Sequence, residues 1–214
     1  MGKYFGTDGF RGEANVDLTV EHAYKVGRYL GWYYSQNGKA KVVIGKDTRR
    51  SSYMFEYALV SGLTASGADV YLLHVTTTPS VSYVVTSEEF DCGIMISASH
   101  NPYYDNGIKI LDGNGHKMDA GVENLIEQYI DGLIDELPYA TKDEIGCALD
   151  YSIGRNRYIG YLMSIPTRAF RNYRVGLDCA NGASSAIAKS VFDALGAKTY
   201  VINSDPDGLN INTN

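Results

Sequence analysis

Residues 92–111 read CGIMISASHNPYYDNGIKIL and place a polar loop between two apolar runs. The first run, 92–98, is short and free of charge, which predicts a buried strand. The second, 106–111, is followed by the turn DGNG and by HKMD, and together they predict a short hairpin. A buried strand that ends in a polar loop is typical of α/β proteins, whose ligand-binding loops follow the carboxyl ends of parallel strands.

Helix and strand patterns alternate on both sides of this stretch. The helical spacing of apolar residues predicts helices at 19–37, 51–66, 79–89, 120–134 and 155–165. Short apolar runs predict further strands, which lie at 41–45, 70–75, 174–180 and 197–203. The last two strands and the helical pattern at 182–196 form one β–α–β unit. The alternation predicts an α/β fold, with a mainly parallel mixed sheet flanked by helices.

A change of composition at PYATKDEIGCALD (138–150) predicts a domain boundary. We expect one whole domain over 1–150. We expect only the start of a second, similar α/β domain over 151–214, because a single β–α–β unit rarely folds alone. The polar, turn-rich SDPDGLNINTN at 204–214 adds no closing element. We therefore interpret the length as a truncation.

Composition restricts the function classes. The 214 residues are 44% hydrophobic and 21% charged, as in globular proteins, and the net charge of −6 argues against nucleic-acid partners. No apolar run approaches the ~18 residues that span a bilayer, and MGKYFGTDGF lacks the apolar core of a signal peptide. We expect a cytoplasmic protein without membrane partners. Its scattered cysteines, Cys92, Cys147 and Cys179, predict neither a zinc site nor a disulfide framework.

The loop at 97–102 holds the candidate nucleophiles. A hydrolase triad is not indicated, because the chain has no G-x-S-x-G elbow and neighbouring Ser and His side chains tend to diverge. A nucleophilic or phosphorylated serine fits better, provided that positive charge gathers around it. The alternative is a polar turn without chemistry.

Two cations are available for such a serine. Arg11 lies in FGTDGFRG (5–12), where three glycines and one guanidinium suit an anion-binding loop. Lys109 follows Ser99 closely enough for the hairpin to bring its amine back to the serine loop, although a solvent-facing lysine is the alternative.

Other polar motifs predict less. GKDTRRSS (45–52) lacks the P-loop spacing, so we expect the start of a helix, with Arg49 or Arg50 facing solvent or an interdomain groove. DCANGA (178–183) has one glycine where a dinucleotide-binding loop has three. Three histidines lack metal-ligand spacing and are expected to be structural or on the surface: His22, His74 and His116.

The ordered set of motifs is more specific than any single one. FGTDGFRG, GKDTRRSS, TTTPSVSY (76–83), MISASHNPYYDNGIKI (95–110), DCANGA and DPDGLNIN (205–212) follow one another along the chain. The set resembles the α-D-phosphohexomutase superfamily over essentially the whole chain and is most similar to its bacterial phosphoglucosamine mutase branch. The resemblance implies an isomerase that interconverts glucosamine 6-phosphate and glucosamine 1-phosphate in amino-sugar and cell-wall precursor biosynthesis.

Three alternatives stay open beside that interpretation. One is a phosphomannomutase/phosphoglucomutase of the same superfamily. Another is a non-catalytic, phospho-accepting α/β module. A third, a nucleotide-binding α/β protein, is supported only by the β–α–β unit at 174–203.

The resemblance also implies roles for individual residues. Ser99, the second serine of SASHNP, would carry the phosphoryl group, and it is preferred to Ser97 because it matches the family position and lies nearer the loop apex. Arg11 and Lys109 match positions that surround the phosphoserine and neutralise its charge. His100 matches a neighbouring active-site position, for which we expect proton handling or hydrogen bonding.

Cofactors and partners follow from the same resemblance. Mg²⁺ would be held by the phosphate on Ser99 and by aspartates, but the family's D-G-D-x-D-R loop does not occur in these residues, so we expect those ligands beyond Asn214. Glucose or glucosamine 1,6-bisphosphate would be the activator or intermediate, and a hexosamine phosphate the substrate. A homodimer is an open alternative. This chain by itself is expected to bind metal poorly and to be inactive as a mutase.

Overall fold

Strands and helices alternate along the computed structural model, which describes residues 2–213. The strands are β1 (Phe5–Gly6), β2 (Gly9–Glu13), β3 (Lys41–Lys46), β4 (Asp69–Val75), β5 (Cys92–Ile96), β6 (Asp105–Asp112), β7 (Ala148–Asp150), β8 (Arg174–Asp178) and β9 (Lys198–Ile202). The helices are α1 (Val20–Tyr34), α2 (Arg50–Ala65), α3 (Thr78–Ser87), α4 (Ala120–Ile130), α5 (Ser152–Ser164) and α6 (Ala188–Ala194). Short 3₁₀ turns occupy Ser35–Asn37, Lys142–Glu144 and Ala183–Ala186.

Seven strands form one mixed sheet in the order β1-β2-β6-β5-β3-β4-β7. Pairing is parallel from β5 through β3 and β4 to β7, and antiparallel from β5 through β6 and β2 to β1. The predicted α/β fold with a mixed sheet is confirmed, but only the half formed by β5, β3, β4 and β7 is parallel. The reason is the short loop between β5 and β6, because a parallel return needs a crossover of a dozen or more residues.

Two hydrophobic layers enclose the sheet. Buried residues of α1, α2 and α4 pack on one face, against alternate residues of the central strands such as Ile44, Ile94 and Ile108. The other face packs under α3, where Val81, Val84 and Val85 meet the remaining alternate residues. The α/β/α layering therefore follows from the period of two along each strand.

Helices α1 and α2 lie unusually close together because glycines face each other. A Cβ atom at Gly62 would lie 2.3 Å from the carbonyl oxygen of Tyr24, and one at Gly27 would lie 2.5 Å from that of Leu59. Helix α1 begins after Thr19, whose side chain accepts from the backbone N–H of His22, while the His22 ring accepts from the Thr19 N–H. His22 is thus structural, as expected.

Two elements differ from the expected boundaries. Helix α4 ends at Ile130 instead of residue 134, because Gly132 adopts φ +72° and turns the chain out of the helix. The hairpin predicted from 106–111 and HKMD is reduced to one isolated β-bridge, between Leu111 and Lys117. Strand β6 pairs instead with β5 and β2.

Residues 148–150 add the edge strand β7 to the large sheet, and α5 leads from it to the next unit. There β8 and β9 pair in parallel, with α6 between them, as the β–α–β prediction required. The proposed boundary between 150 and 151 stays a prediction. Within residues 2–213, every helix is too short or too polar to cross a lipid bilayer.

Candidate active site

Ser99 lies in the loop that follows β5, at the edge where the parallel strands β3, β4 and β5 end. Its side chain is exposed, and its backbone adopts φ +57°. A left-handed backbone is costly for a residue with a Cβ atom, so the surrounding contacts must hold it in place.

The two candidate serines differ in their hydrogen bonds. The Ser97 hydroxyl donates to Asp47 Oδ2 at 2.7 Å and accepts the backbone N–H of Ser99 at 3.0 Å. The Ser99 hydroxyl has a single side-chain neighbour in the described structure, His100 Nδ1 at 3.4 Å. Ser97 is therefore engaged as both donor and acceptor, whereas Ser99 offers a free oxygen to the cleft.

The sequence left open whether Arg49 or Arg50 faces outward: Arg50 is exposed, whereas Arg49 points inward. The Arg49 side chain is fully buried, and its Nη2 atom donates to the carbonyl oxygens of Ser99 at 2.9 Å and Asn101 at 3.0 Å. Nη1 donates to the carbonyl oxygens of Pro102 and, at 3.0 Å, of Asp105. Arg49 points inward because these carbonyls and a carboxylate offer partners for its guanidinium.

That carboxylate belongs to Asp47, which is also buried. It accepts from Arg49 Nε at 2.8 Å, from the Arg49 backbone N–H at 3.0 Å and from the hydroxyl of Ser52 at 2.8 Å, in addition to Ser97. Four donors leave Asp47 without a free lone pair for a metal or a substrate proton. Asp47 and Arg49 thus connect the end of β3 to the serine loop.

Arg11 and Lys109 lie on the same face of the sheet as Ser97. Arg11 on β2 is opposite Gly107 on β6, and Lys109 is two positions further along β6. The Ser97 backbone N–H donates to the Gly107 carbonyl oxygen at 2.9 Å. A Cβ atom at Gly107 would lie 2.7 Å from the carbonyl oxygen of Ser97 and 2.9 Å from Arg11 Cγ, so the Arg11 stem passes beside the serine loop.

Asp8, which the sequence did not single out, lies between these two cations. Its Oδ2 is 3.6 Å from Arg11 Nη1, and its Oδ1 is 3.8 Å from Lys109 Nζ. The Nε atom of Arg11 is buried without a hydrogen-bond partner in the described structure. The two predicted cations therefore converge, and part of their donor capacity is unused. The hydrogen bonds described for Ser99 go to Ser97, Arg49 and His100.

Ser97, Ser99 and His100 line an open cleft of about 370 Å³. The facing wall comes from the 179–184 turn and from Ile211 and Asn212. Three hydrogen bonds join the wall to the large sheet: Thr48 Oγ1 to the Asn181 carbonyl oxygen (2.6 Å), Asn212 Nδ2 to that of His100 (2.9 Å) and the Arg50 N–H to that of Gly208 (3.1 Å). The DCANGA turn thus forms a cleft wall.

The remaining histidines lie away from this cleft. His74 Nε2 is 3.1 Å from Asp150 Oδ2, and the Ser152 backbone N–H together with His74 lowers the pKa of Asp150 to about 2. His116 is exposed in the turn after β6. Between residues 2 and 213 there is no group of three or more His, Cys, Asp or Glu side chains that could hold a metal ion.

Comparison with known proteins identifies the family of this chain. Residues 2–135 match the phosphoglucomutase/phosphomannomutase, alpha/beta/alpha domain I family. The chain is 72% identical over 213 residues to the phosphoglucosamine mutase of Lachnoclostridium phytofermentans and 70% identical over 217 residues to that of Lachnospira eligens. All of this chain is matched, against 48% of each relative, so the chain spans about half the length of these curated relatives.

A solved structure shows the same fold. The phosphoglucomutase/phosphomannomutase family protein of Burkholderia thailandensis superposes with a TM-score of 0.80 and 25% identity, over 97% of this chain and 46% of that one. With the family match over most of the chain, this likeness is decisive. The chain belongs to the phosphoglucomutase/phosphomannomutase family.

Proposed function

We propose that this chain carries the phosphoserine part of a phosphoglucosamine mutase active site, with Ser99 as the phosphoryl carrier. The observation that carries the proposal is the state of the two serines. Ser99 is exposed, and within residues 2–213 its hydroxyl bonds only to His100, whereas the Ser97 hydroxyl both donates and accepts. The substrate class, a hexosamine phosphate, rests on the relatives named phosphoglucosamine mutase.

The proposed reaction moves one phosphoryl group twice. Phospho-Ser99 transfers its group to the 1-hydroxyl of glucosamine 6-phosphate, so that the Oγ–P bond breaks, a bond from phosphorus to the sugar oxygen forms and the hydroxyl proton ends on Ser99 Oγ. The resulting 1,6-bisphosphate turns over in the site and returns its 6-phosphoryl group to Ser99, which releases glucosamine 1-phosphate. Such transfers depend mainly on positioning and on neutralising charge on the phosphoryl oxygens.

Residues of this chain would supply both requirements. Arg11 and Lys109 converge on the serine side of the sheet and would exchange Asp8 for phosphoryl oxygens. His100 Nδ1, 3.4 Å from Ser99 Oγ, lies close enough to accept or return a proton. The proposal includes a cytoplasmic location; a homodimer stays an open alternative.

Magnesium, which the resemblance implies, does not fit the side chains of residues 2–213. They contain no cluster of three metal-binding groups, Asp47 is saturated by four donors, and Asp8 is paired with cations. Beside a phosphate on Ser99, the metal would need ligands from other residues.

Mass spectrometry tests the proposal. The protein is incubated with glucose 1,6-bisphosphate, and fragment ions locate the added phosphate in the wild type and in the Ser97→Ala and Ser99→Ala variants. The same measurement is made on a chain extended to the length of the relatives. We expect phosphate on Ser99 in the wild type and in Ser97→Ala, and none in Ser99→Ala. Phosphate on Ser97, or no phosphate even in the longer chain, would overturn the assignment.

A further inference from the structure

We propose that Arg49, held by Asp47, is the positioning residue that fixes the Ser99 loop and thereby determines which serine accepts the phosphoryl group. The chemical part of this inference rests on the proposed function. The conformational part rests on the geometry of the loop alone.

The clamp acts on the backbone. The buried guanidinium gathers four carbonyl oxygens, from Ser99 and Asn101 near the loop apex and from Pro102 and Asp105 on the way back to β6. Four carbonyl oxygens that converge inside the protein repel one another and have lost their hydrogen bonds to water. A cation placed between them offsets both costs. With the carbonyls turned inward, the Ser99 side chain points outward, and its backbone keeps the left-handed φ of +57°.

Arginine suits this role, and lysine does not. A guanidinium presents five N–H donors in a fixed plane, whereas an ammonium is a point charge with three donors on a flexible stem. Arg49 uses Nε on Asp47 and both Nη atoms on the loop. A lysine at position 49 would keep the charge but would leave part of the carbonyl set unpaired.

Asp47 couples the clamp to the choice of serine. The same Oδ2 atom accepts from Arg49 Nε at 2.8 Å and from Ser97 Oγ at 2.7 Å. The Ser97 oxygen in turn accepts the Ser99 N–H. If Arg49 is removed, Asp47 loses its counter-ion and the Ser99 backbone is freed, so that the Ser97 oxygen loses the Ser99 N–H that it accepts. Ser97 then competes with Ser99 for the phosphoryl group.

The chain offers a matched control in the next residue. Arg50 carries the same charge at the start of the same helix, but it is exposed, and its described hydrogen bond to another segment comes from its backbone N–H. An Arg50→Ala variant therefore removes one positive charge next to the clamp while leaving the serine loop untouched.

The first measurement does not depend on phosphorylation. Backbone chemical shifts of Ser99, with Cα and Cβ as reporters of a left-handed φ, are compared in wild type, Arg49→Lys, Arg49→Ala and Arg50→Ala, after circular dichroism has shown each to be folded. We expect Arg50→Ala to match the wild type and Arg49→Lys to lose the left-handed signature. A folded Arg49→Lys variant that keeps it overturns the proposal. If Arg49→Ala does not fold, Arg49→Lys alone decides.

The second measurement concerns the reaction with a hexose 1,6-bisphosphate, in which a sugar O–P bond breaks, the Ser99 Oγ–P bond forms and the serine proton passes to the sugar oxygen. For a loop displaced by about 1 Å, we expect a loss of roughly 100-fold in the rate of Ser99 phosphorylation with little change in bisphosphate Kd, and a fraction of the phosphate on Ser97. Unchanged rate and site in Arg49→Lys would contradict the proposal. No phosphate in the wild type, even in the chain extended to the length of the relatives, would instead contradict the proposed function, and the first measurement would then decide this proposal.

Discussion

The side-chain amide of Asn212 donates to the carbonyl oxygen of His100 at 2.9 Å, although the two residues are 112 positions apart in the chain. This bond ties the last described turn to the loop that carries Ser99. The cleft wall is thus anchored to the neighbour of the candidate nucleophile, so the mobility of the serine loop should depend on this amide.

We expect Asn212→Ala to lower the free energy of unfolding by only about 1 kcal/mol, because one neutral hydrogen bond is lost. Its local effect should be larger: amide hydrogen exchange at residues 99–101 should accelerate while exchange in β3 and β5 stays unchanged. Asn37→Ala is the control, because that side chain is exposed and makes no described hydrogen bond. Equal exchange in both variants would show that the wall does not restrain the loop.

Glu127 anchors the segment that leads to Arg11, and its effect should depend on pH. Burial alone would raise the pKa of Glu127, but the backbone N–H groups of Phe5, Tyr4 and Lys3 outweigh it and lower the pKa below 4.5. The unfolded chain therefore binds this proton at higher pH than the native state does. The stabilisation is present above the unfolded pKa and is lost as pH falls through the folded pKa.

Glu127→Gln should cost about 1–3 kcal/mol at pH 7, since hydrogen bonds to a charged group are replaced by weaker ones. The difference from wild type should shrink below about pH 4.5, as the native carboxylate is protonated. Urea unfolding at several pH values measures both effects. Glu21→Gln on the surface of α1 is the control and should be nearly neutral. If the difference in the free energy of unfolding between wild type and Glu127→Gln does not change with pH, the ionised Glu127 does not anchor this segment.

Gly107 is the point where Arg11 and the serine loop touch the same backbone. In Gly107→Ala the new methyl group would meet the Ser97 carbonyl oxygen at 2.7 Å and Arg11 Cγ at 2.9 Å. We expect a loss of about 1–3 kcal/mol in stability, typical of overpacking, and a displaced Arg11. Thermal unfolding and the backbone shifts of Ser97 report the two effects. Gly160→Ala, which meets no atom within 4 Å, should be neutral or stabilising.

Asp8 occupies the space between the two cations, so its removal should favour anions. Asp8→Asn is expected to tighten the binding of inorganic phosphate by up to about fivefold, or 1 kcal/mol, because the pairs are partly exposed and screened. Titration followed by shifts of the Ser99 loop measures the Kd. Asp135→Asn changes the net charge equally at an exposed site away from Arg11. If both variants bind phosphate more tightly by the same factor, the gain comes from the net charge of the protein and not from the position of Asp8.

Much of the fold follows from local pattern. Apolar spacing predicted the strands at 41–46 and 92–96 and the helices after Thr19 and Arg49. The pattern is clear there because these strands are buried on both faces and these helices on one. The N-terminal hairpin β1–β2 and the edge strand β7 were not predicted. Both are short, and their pairing depends on partners about 80 to 100 positions away, Ile108 for Phe10 and Val70 for Ala148.

The site divides in the same way. Ser99, His100, Arg11 and Lys109 were proposed from the sequence, and the structure places the two cations on the serine side of the sheet; their roles stay proposals. The sequence left open which of Arg49 and Arg50 faces outward, because two adjacent arginines at a helix start look alike. Only the folded loop shows that Arg49 meets four carbonyl oxygens. Asp47, two residues before Arg49, was the available signal, since a short acidic side chain there can accept from the backbone that follows.

Because β2 pairs with β6, the strand that carries Arg11 must wait during synthesis for a partner about 95 residues later in the chain. Arg11 is synthesised long before β6, and its strand has no described neighbour except β1 until Asp105–Asp112 has been made. At about 5–20 residues per second, the nascent hairpin waits several seconds for that partner. Until then Phe10 lacks its partner Ile108, and Arg11 meets Lys109 across Asp8 only after the serine loop has been made.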